Sequence, residues 1–332
     1  MRILNEEELR AAYGGRTALV TGASGFIGAW VAEGLARRGA QVVLAGRNAG
    51  LLAQVADSYG FTGRVEVADF SEAGGFRRLF DKVQPDITFN LAGYGVDPGE
   101  RDGRQAERIN VKLVEEIAAT IAAGRASDWP GQQLVHAGSG AEYGAVDGPV
   151  SEDLPAKPVS LYGRTKLAGS QILSAAAEQK KLRALTARLF LVYGPGEHPS
   201  RLLPSLIAAA HSRKPLPMTA GEQLRDFTYV GEVAEGLARL GCVRGMAPTV
   251  VNLATGQQTR LRDFVTCAGT LLGMSASQLQ FGALPYRGDE TRQGPVITQR
   301  LEELTGWKPH CMVQEGLRQS IALATQRSGV RV

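Results

Sequence analysis

The chain has 332 residues, 44% of them apolar, with a formal net charge of +4, which allows one full-sized soluble domain plus a smaller lobe. It holds no apolar run of the roughly 18 residues a membrane helix needs, and Met1–Gly15 lack the apolar core of a signal peptide, so no membrane contact and a cytoplasmic setting are expected. The arginines are spread along the chain, the three cysteines lie far apart and the four histidines form no ligand pattern, so neither a nucleic-acid surface nor a metal site is expected.

In chain order, the first 15 residues read as a short helix or a loose arm. Strand patterns then follow at Thr17–Thr21, Gln41–Ala45, Arg64–Val67, Asp86–Leu91, Gln132–Gly138 and Ala184–Val192. Amphipathic helical patterns lie between them, at Ile27–Arg38, Gly74–Lys82, Arg108–Ala123 and Tyr162–Gln179. This alternation predicts an α/β fold, a doubly wound parallel sheet of the Rossmann type. After Tyr193 the glycines and prolines multiply. Residues 1–193, with a return segment at about 226–255, are expected to form the dinucleotide-binding domain. Residues 194–225 and 256–332 are expected to form a smaller mixed α/β substrate lobe.

The strongest local signal is Thr21-Gly22-Ala23-Ser24-Gly25-Phe26-Ile27-Gly28, a glycine loop after a strand and before a helix. Gly22 suits the tight turn, Gly25 the approach of a pyrophosphate and Gly28 close helix packing, with Ser24, Phe26 and Ile27 completing the cradle. At the end of the second strand an NAD site usually carries an acid for the ribose hydroxyl. Here the strand ends in Gly46-Arg47-Asn48. Arg47 suits a 2′-phosphate, so NADP(H) is expected to be preferred, with NAD(H) as the alternative. Asp69 is placed to accept from the adenine amino group, with Phe70 beside it. Leu91, Ala92 and Gly93 leave room for the nicotinamide half.

Tyr162 and Lys166 are four residues apart, on one face of a helix. A phenol with an ordinary pKa of about 10 is a poor acid or base near neutrality. A neighbouring ammonium and an oxidised nicotinamide are expected to bring it down toward working pH. Ser139 ends a strand and suits the same substrate oxygen.

Taken together, the glycine loop, Ser139 in Gly138-Ser139-Gly140-Ala141-Glu142-Tyr143-Gly144, and Tyr162/Lys166 resemble the extended short-chain dehydrogenases/reductases. Arg188–Gly196, Arg225-Asp226-Phe227-Thr228-Tyr229-Val230, Phe281–Glu290 and Gly306-Trp307-Lys308-Pro309 resemble segments of its nucleotide-sugar epimerases, dehydratases and 4-ketoreductases. The resemblance covers residues 16 to about 320. It implies Tyr162 as general acid/base, Lys166 as its partner and ribose contact, and Ser139 as the oxygen-binding hydroxyl. It also implies Arg225 and Arg287 as grips on a nucleotide diphosphate, Tyr143 near the sugar, and a homodimer through the helices at Arg108–Ala123 and Tyr162–Gln179.

There are departures. Gly140 and Ala141 stand where sugar dehydratases have an acid pair, so dehydration is not expected. Leu191 stands where the family often has Asn, and Glu142 where it has an apolar residue. The expectation is therefore an NADPH-dependent reductase of a nucleotide-linked 4-keto-6-deoxy sugar. The alternatives are a nucleotide-sugar 4-epimerase with bound NAD, a reductase of a non-sugar ketone, and an NADP-binding protein without chemistry.

Overall fold

The computed structural model describes residues 3–96, 99–124, 127–179, 182–286 and 292–328. Arg287 lies outside the described residues, as does part of the Phe281–Glu290 segment.

The N-terminal stretch is a docked helix, α1 (Glu6–Tyr13), with a capping box between Asn5 and Glu8. Leu9 and Tyr13 are fully buried, and the Tyr13 hydroxyl donates to the Ala238 carbonyl at 2.6 Å.

The units that follow are β1 (Thr17–Thr21), α2 (Phe26–Arg37), β2 (Gln41–Gly46), α3 (Ala49–Tyr59), β3 (Arg64–Val67), α4 (Gly75–Val83) and β4 (Ile87–Asn90). Then come α5 (Gly103–Glu107), a π-helical turn at Arg108–Lys112, α6 (Leu113–Ala123), β5 (Leu134–Ser139), α7 (Leu161–Glu178) and β6 (Ala184–Leu189). The remainder comprises β7 (Leu191–Tyr193), α8 (Leu202–Ser212), β8 (Leu216–Met218), β9 (Leu224–Arg225), β10 (Phe227–Tyr229), α9 (Val230–Gly241) and β11 (Val250–Leu253). It ends with β12 (Thr259–Arg260), α10 (Leu261–Leu271), β13 (Leu279–Phe281), α11 (Gln299–Thr305) and α12 (Val313–Ser328).

Seven strands form one parallel sheet in the order β11-β6-β5-β4-β1-β2-β3. Alternation along the strands divides the core. Ala18, Val20, Val42 and Leu44 face one cluster, with α2 and α9 packed over it. Leu19, Val43 and Ala45 face the other, under α4, α6 and α7. The strand order reverses direction at β1, and ligands of such sheets bind at the carboxyl ends beside that point.

Two expected elements differ. The strand expected over Ala184–Val192 breaks at Phe190. Beyond it β7 leaves the sheet to pair with β10, and Leu191 N donates to the Asp226 carbonyl at 3.1 Å. The helix expected from Arg108 starts earlier, at Gly103, because the Asp102 side chain caps it by accepting from Arg104 N and Gln105 N. Beyond Tyr193 two further pairings are short, β8 with β13 and β9 with β12.

Candidate active site

The glycine loop joins β1 to α2. Gly22 has φ +67°, and a side chain there would meet the Leu91 carbonyl and Ala92 N at 2.7 Å. A Cβ at Gly28 would lie 2.2 Å from the Gly22 carbonyl oxygen. The loop, the helix and the segment after β4 thus approach too closely for any residue but glycine. No side chain caps α2 and its first turn carries no acid. Its leading N–H groups and positive dipole end are therefore open to an anion, and the cradle fits a dinucleotide pyrophosphate.

One cavity of about 570 Å³ is lined by Gly22, Ser24, Gly25, Phe26, Ile27 and Gly28 on one side. Leu91, Ala92 and Gly93 also line it, and Ser139, Tyr162 and Lys166 face in from β5 and α7. Residues some 140 positions apart in sequence thus meet at the carboxyl edge of the sheet.

Arg47, Asp69 and Phe70 lie outside that lining, at the ends of β2 and β3. Arg47 is exposed and Asp69 feels its charge. The Asp69 carboxyl is held below its usual range by the Ser71 hydroxyl and N–H, which donate to Oδ1 at 2.6 and 2.8 Å, and then by Arg47. Phe70 requires a correction: the residue is 6% exposed and belongs to the second core, so its side chain packs inward and does not line the cavity.

Ser139 closes β5 and starts a tight turn. Its hydroxyl accepts from Ala141 N at 3.1 Å, and its N–H donates to Glu142 Oε1 at 2.8 Å. Tyr162 stands in the first turn of α7, which Ser160 caps by accepting from Gly163 N. Burial pushes the Tyr162 hydroxyl up to about 12; the Ser139 hydrogen bond and Arg201 pull it down, while Glu142 and Glu100 push it up. The expected phenolate depends on an oxidised nicotinamide as well as on Lys166. In the protein alone desolvation wins, and Tyr162 holds its proton. Lys166, 3% exposed, is lowered to about 8 by burial, against the pull of Glu142. Asn110, in the π-helical turn, ties this helix to the segment after β4. It accepts from Tyr94 N at 3.0 Å and donates to the Tyr94 carbonyl and to the Thr165 hydroxyl at 2.7 and 2.9 Å.

Tyr143 also requires a correction. It is 2% exposed, its hydroxyl meets Asn252 Oδ1 at 2.7 Å, and the Arg188 guanidinium lies 4.3 Å over its ring. It is a core residue that supports the wall and does not line the cavity. Arg188 in turn donates to Glu142 Oε2 at 2.8 Å, so the unexpected acid is paired and buried. A Cβ at Gly140 would meet the Phe190 ring at 2.7 Å. Phe190 therefore occupies the space that a side chain at that position would need.

The structure adds residues that the sequence did not reveal. Glu100, Glu197 and Arg201 line the cavity. Burial pushes the Glu197 carboxyl up to about 7, with the Gly194 N–H and Arg201 pulling it back. They lie in a loop and at helix ends, where no periodicity marks them; charge just beyond a strand's carboxyl end was the only signal. Arg225 lines a second cavity, of about 640 Å³, together with Glu222, Gln258, Tyr286 and Arg292. The next residue, Asp226, is buried, and its carboxylate accepts from Thr228 Oγ, Thr255 N and Oγ, and Gly256 N.

A parallel sheet with a glycine cradle at its switch point, facing a Ser/Tyr/Lys group, defines a dinucleotide-dependent oxidoreductase-type site. The chain belongs to the NAD dependent epimerase/dehydratase family, whose model matches residues 18–254. It is 28% identical over 312 residues to a dTDP-6-deoxy-L-talose 4-dehydrogenase (NAD(P)(+)) of Kitasatospora kifunensis, covering 90% of this chain and 93% of that one. It is 27% identical over 329 residues to a UDP-glucose 4-epimerase of Mycolicibacterium smegmatis, covering 93% and 99%. Among solved structures, MoeE5 in complex with UDP-glucose and NAD superposes with a TM-score of 0.79 at 28% identity, covering 94% of this chain and 99% of that one. Among the described residues no helix is long and apolar enough to cross a membrane, and no cluster of metal-ligating side chains occurs.

Proposed function

We propose that the chain carries out nicotinamide-dependent oxidation and reduction at C4 of a nucleoside-diphosphate hexose, with 4-epimerisation as its net outcome. The observation that carries this reading is the convergence of Ser139, Tyr162 and Lys166 on the glycine cradle across one cavity. A nicotinamide, when bound, would supply the chemistry of taking up and returning a hydride. Tyr162 moves the proton, giving it to the oxygen when a ketone is reduced and taking it back when the alcohol is oxidised. Ser139 hydrogen-bonds that oxygen. Lys166 holds the ribose and favours the phenolate during the oxidative half. Arg225, in the neighbouring cavity, suits a diphosphate through charge-assisted bonds. Arg287 is proposed as its partner, and a homodimer through α6 and α7 belongs to the same reading.

Net reduction was the first expectation; the relatives support epimerisation at least as well. The dehydrogenase relative and Arg47 at the end of β2 support the second reading, NADPH-dependent reduction of a 4-keto-6-deoxy sugar. Dehydration is unsupported, because Phe190 fills the space above Gly140.

Purified protein incubated with UDP-glucose, and separately with dTDP-linked sugars, tests the choice. Interconversion of the C4 epimers without added cofactor is expected, with NAD released on denaturation. Consumption of NADPH by a 4-keto-6-deoxy sugar, without epimer interconversion, would replace the epimerase by the reductase.

A further inference from the structure

Three polar side chains lie in a row beneath the catalytic lysine. Thr21, Asn90 and His136 are directly paired in register across β1, β4 and β5, and each is 0% exposed. His136 Nε2 lies 3.4 Å from Lys166 Nζ. Its Nδ1 lies 3.0 Å from one end of the Asn90 side-chain amide, and the other end meets the Thr21 hydroxyl at 2.7 Å. Packing alone would be served at lower cost by apolar side chains on a sheet buried on both faces.

The donor and acceptor inventory allows two settings of this row. An ammonium only donates, so beside charged Lys166 the Nε2 atom must accept and Nδ1 must carry the proton. Asn90 then offers its oxygen to Nδ1 and its NH₂ to the Thr21 oxygen. Beside a neutral amine every bond reverses. Nε2–H donates to Nζ, the Asn90 NH₂ donates to Nδ1, and the Thr21 hydroxyl donates to the Asn90 oxygen. The oxygen and nitrogen of a side-chain amide have the same shape, so both settings fit the same heavy-atom positions.

We propose that His136 is a positioning residue for Lys166, a neutral imidazole that accepts from the ammonium and reverses, together with Asn90 and Thr21, when the lysine gives up its proton. The reading of Lys166 as the partner of Tyr162 underlies its functional meaning; the row itself does not depend on any substrate.

The electrostatics agree. Burial, then the Lys166 charge, hold the His136 imidazole well below its ordinary range, so it stays neutral. Lys166 titrates at about 8, within reach of working conditions. Glu142, from the turn after β5, acts on Lys166, and Tyr162 of α7 lines the same cavity as the lysine. Arg201 and Glu100 act on Tyr162. Glu142 is already committed to Arg188 and to Ser139 N, which leaves the imidazole as the acceptor in hydrogen-bond reach of Nζ among the described residues.

The test is a long-range proton–nitrogen correlation spectrum of the full chain labelled with ¹⁵N-histidine, from about pH 6 to about pH 10. The His136 signal is the one missing in His136→Gln. The expected result is a neutral ring throughout, with its proton on Nδ1 below about pH 8 and on Nε2 above, and no such change in Lys166→Met. An imidazolium at the acid end, or one tautomer across the whole range, would overturn the proposal. A second arm measures dinucleotide affinity. His136→Phe is expected to weaken it about tenfold, while His136→Gln, whose amide oxygen still accepts, stays near wild type. Equal weakening in both variants, at equal thermal stability, would overturn the acceptor role. Failure to find any sugar substrate would leave both arms readable.

Discussion

The two walls of the candidate active-site cavity are built on different principles. The cofactor wall is backbone. Gly22 and Gly28 leave no space for a side chain, Gly25 leaves little, and α2 begins without a side-chain cap. The opposite wall is side chain: Phe190, Glu197 and Arg201 reach in from a strand break and a loop, on a lobe held by strand pairs of two or three residues. A wall that binds through backbone N–H groups constrains its sequence to glycine. A wall that binds through side chains can change its chemistry by substitution, which is how one fold serves several sugar reactions.

The largest expected effect sits where the walls meet. Tyr162→Phe removes the proton donor and is expected to lower turnover by about 10²–10⁴-fold while leaving dinucleotide binding intact, measured by single-turnover kinetics and by titration. Loss of binding in step with turnover would break the division between the walls.

Next comes Glu197, which gives the side-chain wall a pH signature. Its folded carboxyl titrates at about 7 against an ordinary 4.5, so between these values the folded state holds the extra proton. Stability contributed by the protonated form is therefore present below pH 4.5 and lost as pH rises toward 7. Relative to Glu197→Gln, the wild type is expected to lose about 3 kcal/mol across that window, read from denaturant unfolding at a series of pH values. Parallel curves for the two proteins would show that the carboxyl is not desolvated.

On the backbone wall, Gly28→Ala places a Cβ 2.2 Å from the Gly22 carbonyl oxygen and is expected to cost about 1–3 kcal/mol and abolish dinucleotide binding. Gly148→Ala, with nothing within 4 Å of its Cβ, is the control and is expected to change neither. The smallest effect concerns the rim. On the NADPH-dependent reductase reading, Arg47→Ala is expected to weaken NADP relative to NAD by about tenfold, measured as the ratio of dissociation constants. An unchanged ratio would remove Arg47 from cofactor selection.

Much of the cofactor wall was legible in the sequence because each signal is local. A glycine loop between a strand and a helix carries its own geometry, and a spacing of four residues fixes Tyr162 and Lys166 on one helix face whatever the surroundings. The strand over Ala184–Val192 read as continuous because apolar β-branched runs do not show where a chain changes partner. The break at Phe190 is decided by the Asp226 carbonyl drawing Leu191 into another pairing.

The sequence by itself determined the sheet, the glycine loop and the candidate side chains that share its cavity. Only the tertiary structure decided which way the neighbouring groups point. It put Tyr143 and Phe70 in the core, Phe190 above Gly140, Glu142 against Arg188 and His136 beneath Lys166. The reason is physical. β4 is buried on both faces and β5 nearly so, so hydrophobic alternation vanishes, and no pattern along the chain tells which alternate residues meet the site. The pKa of Tyr162 follows the same rule. Spacing supplies its candidate partner, but the depth of burial, which the fold sets, is the largest influence on it in the protein alone and raises it.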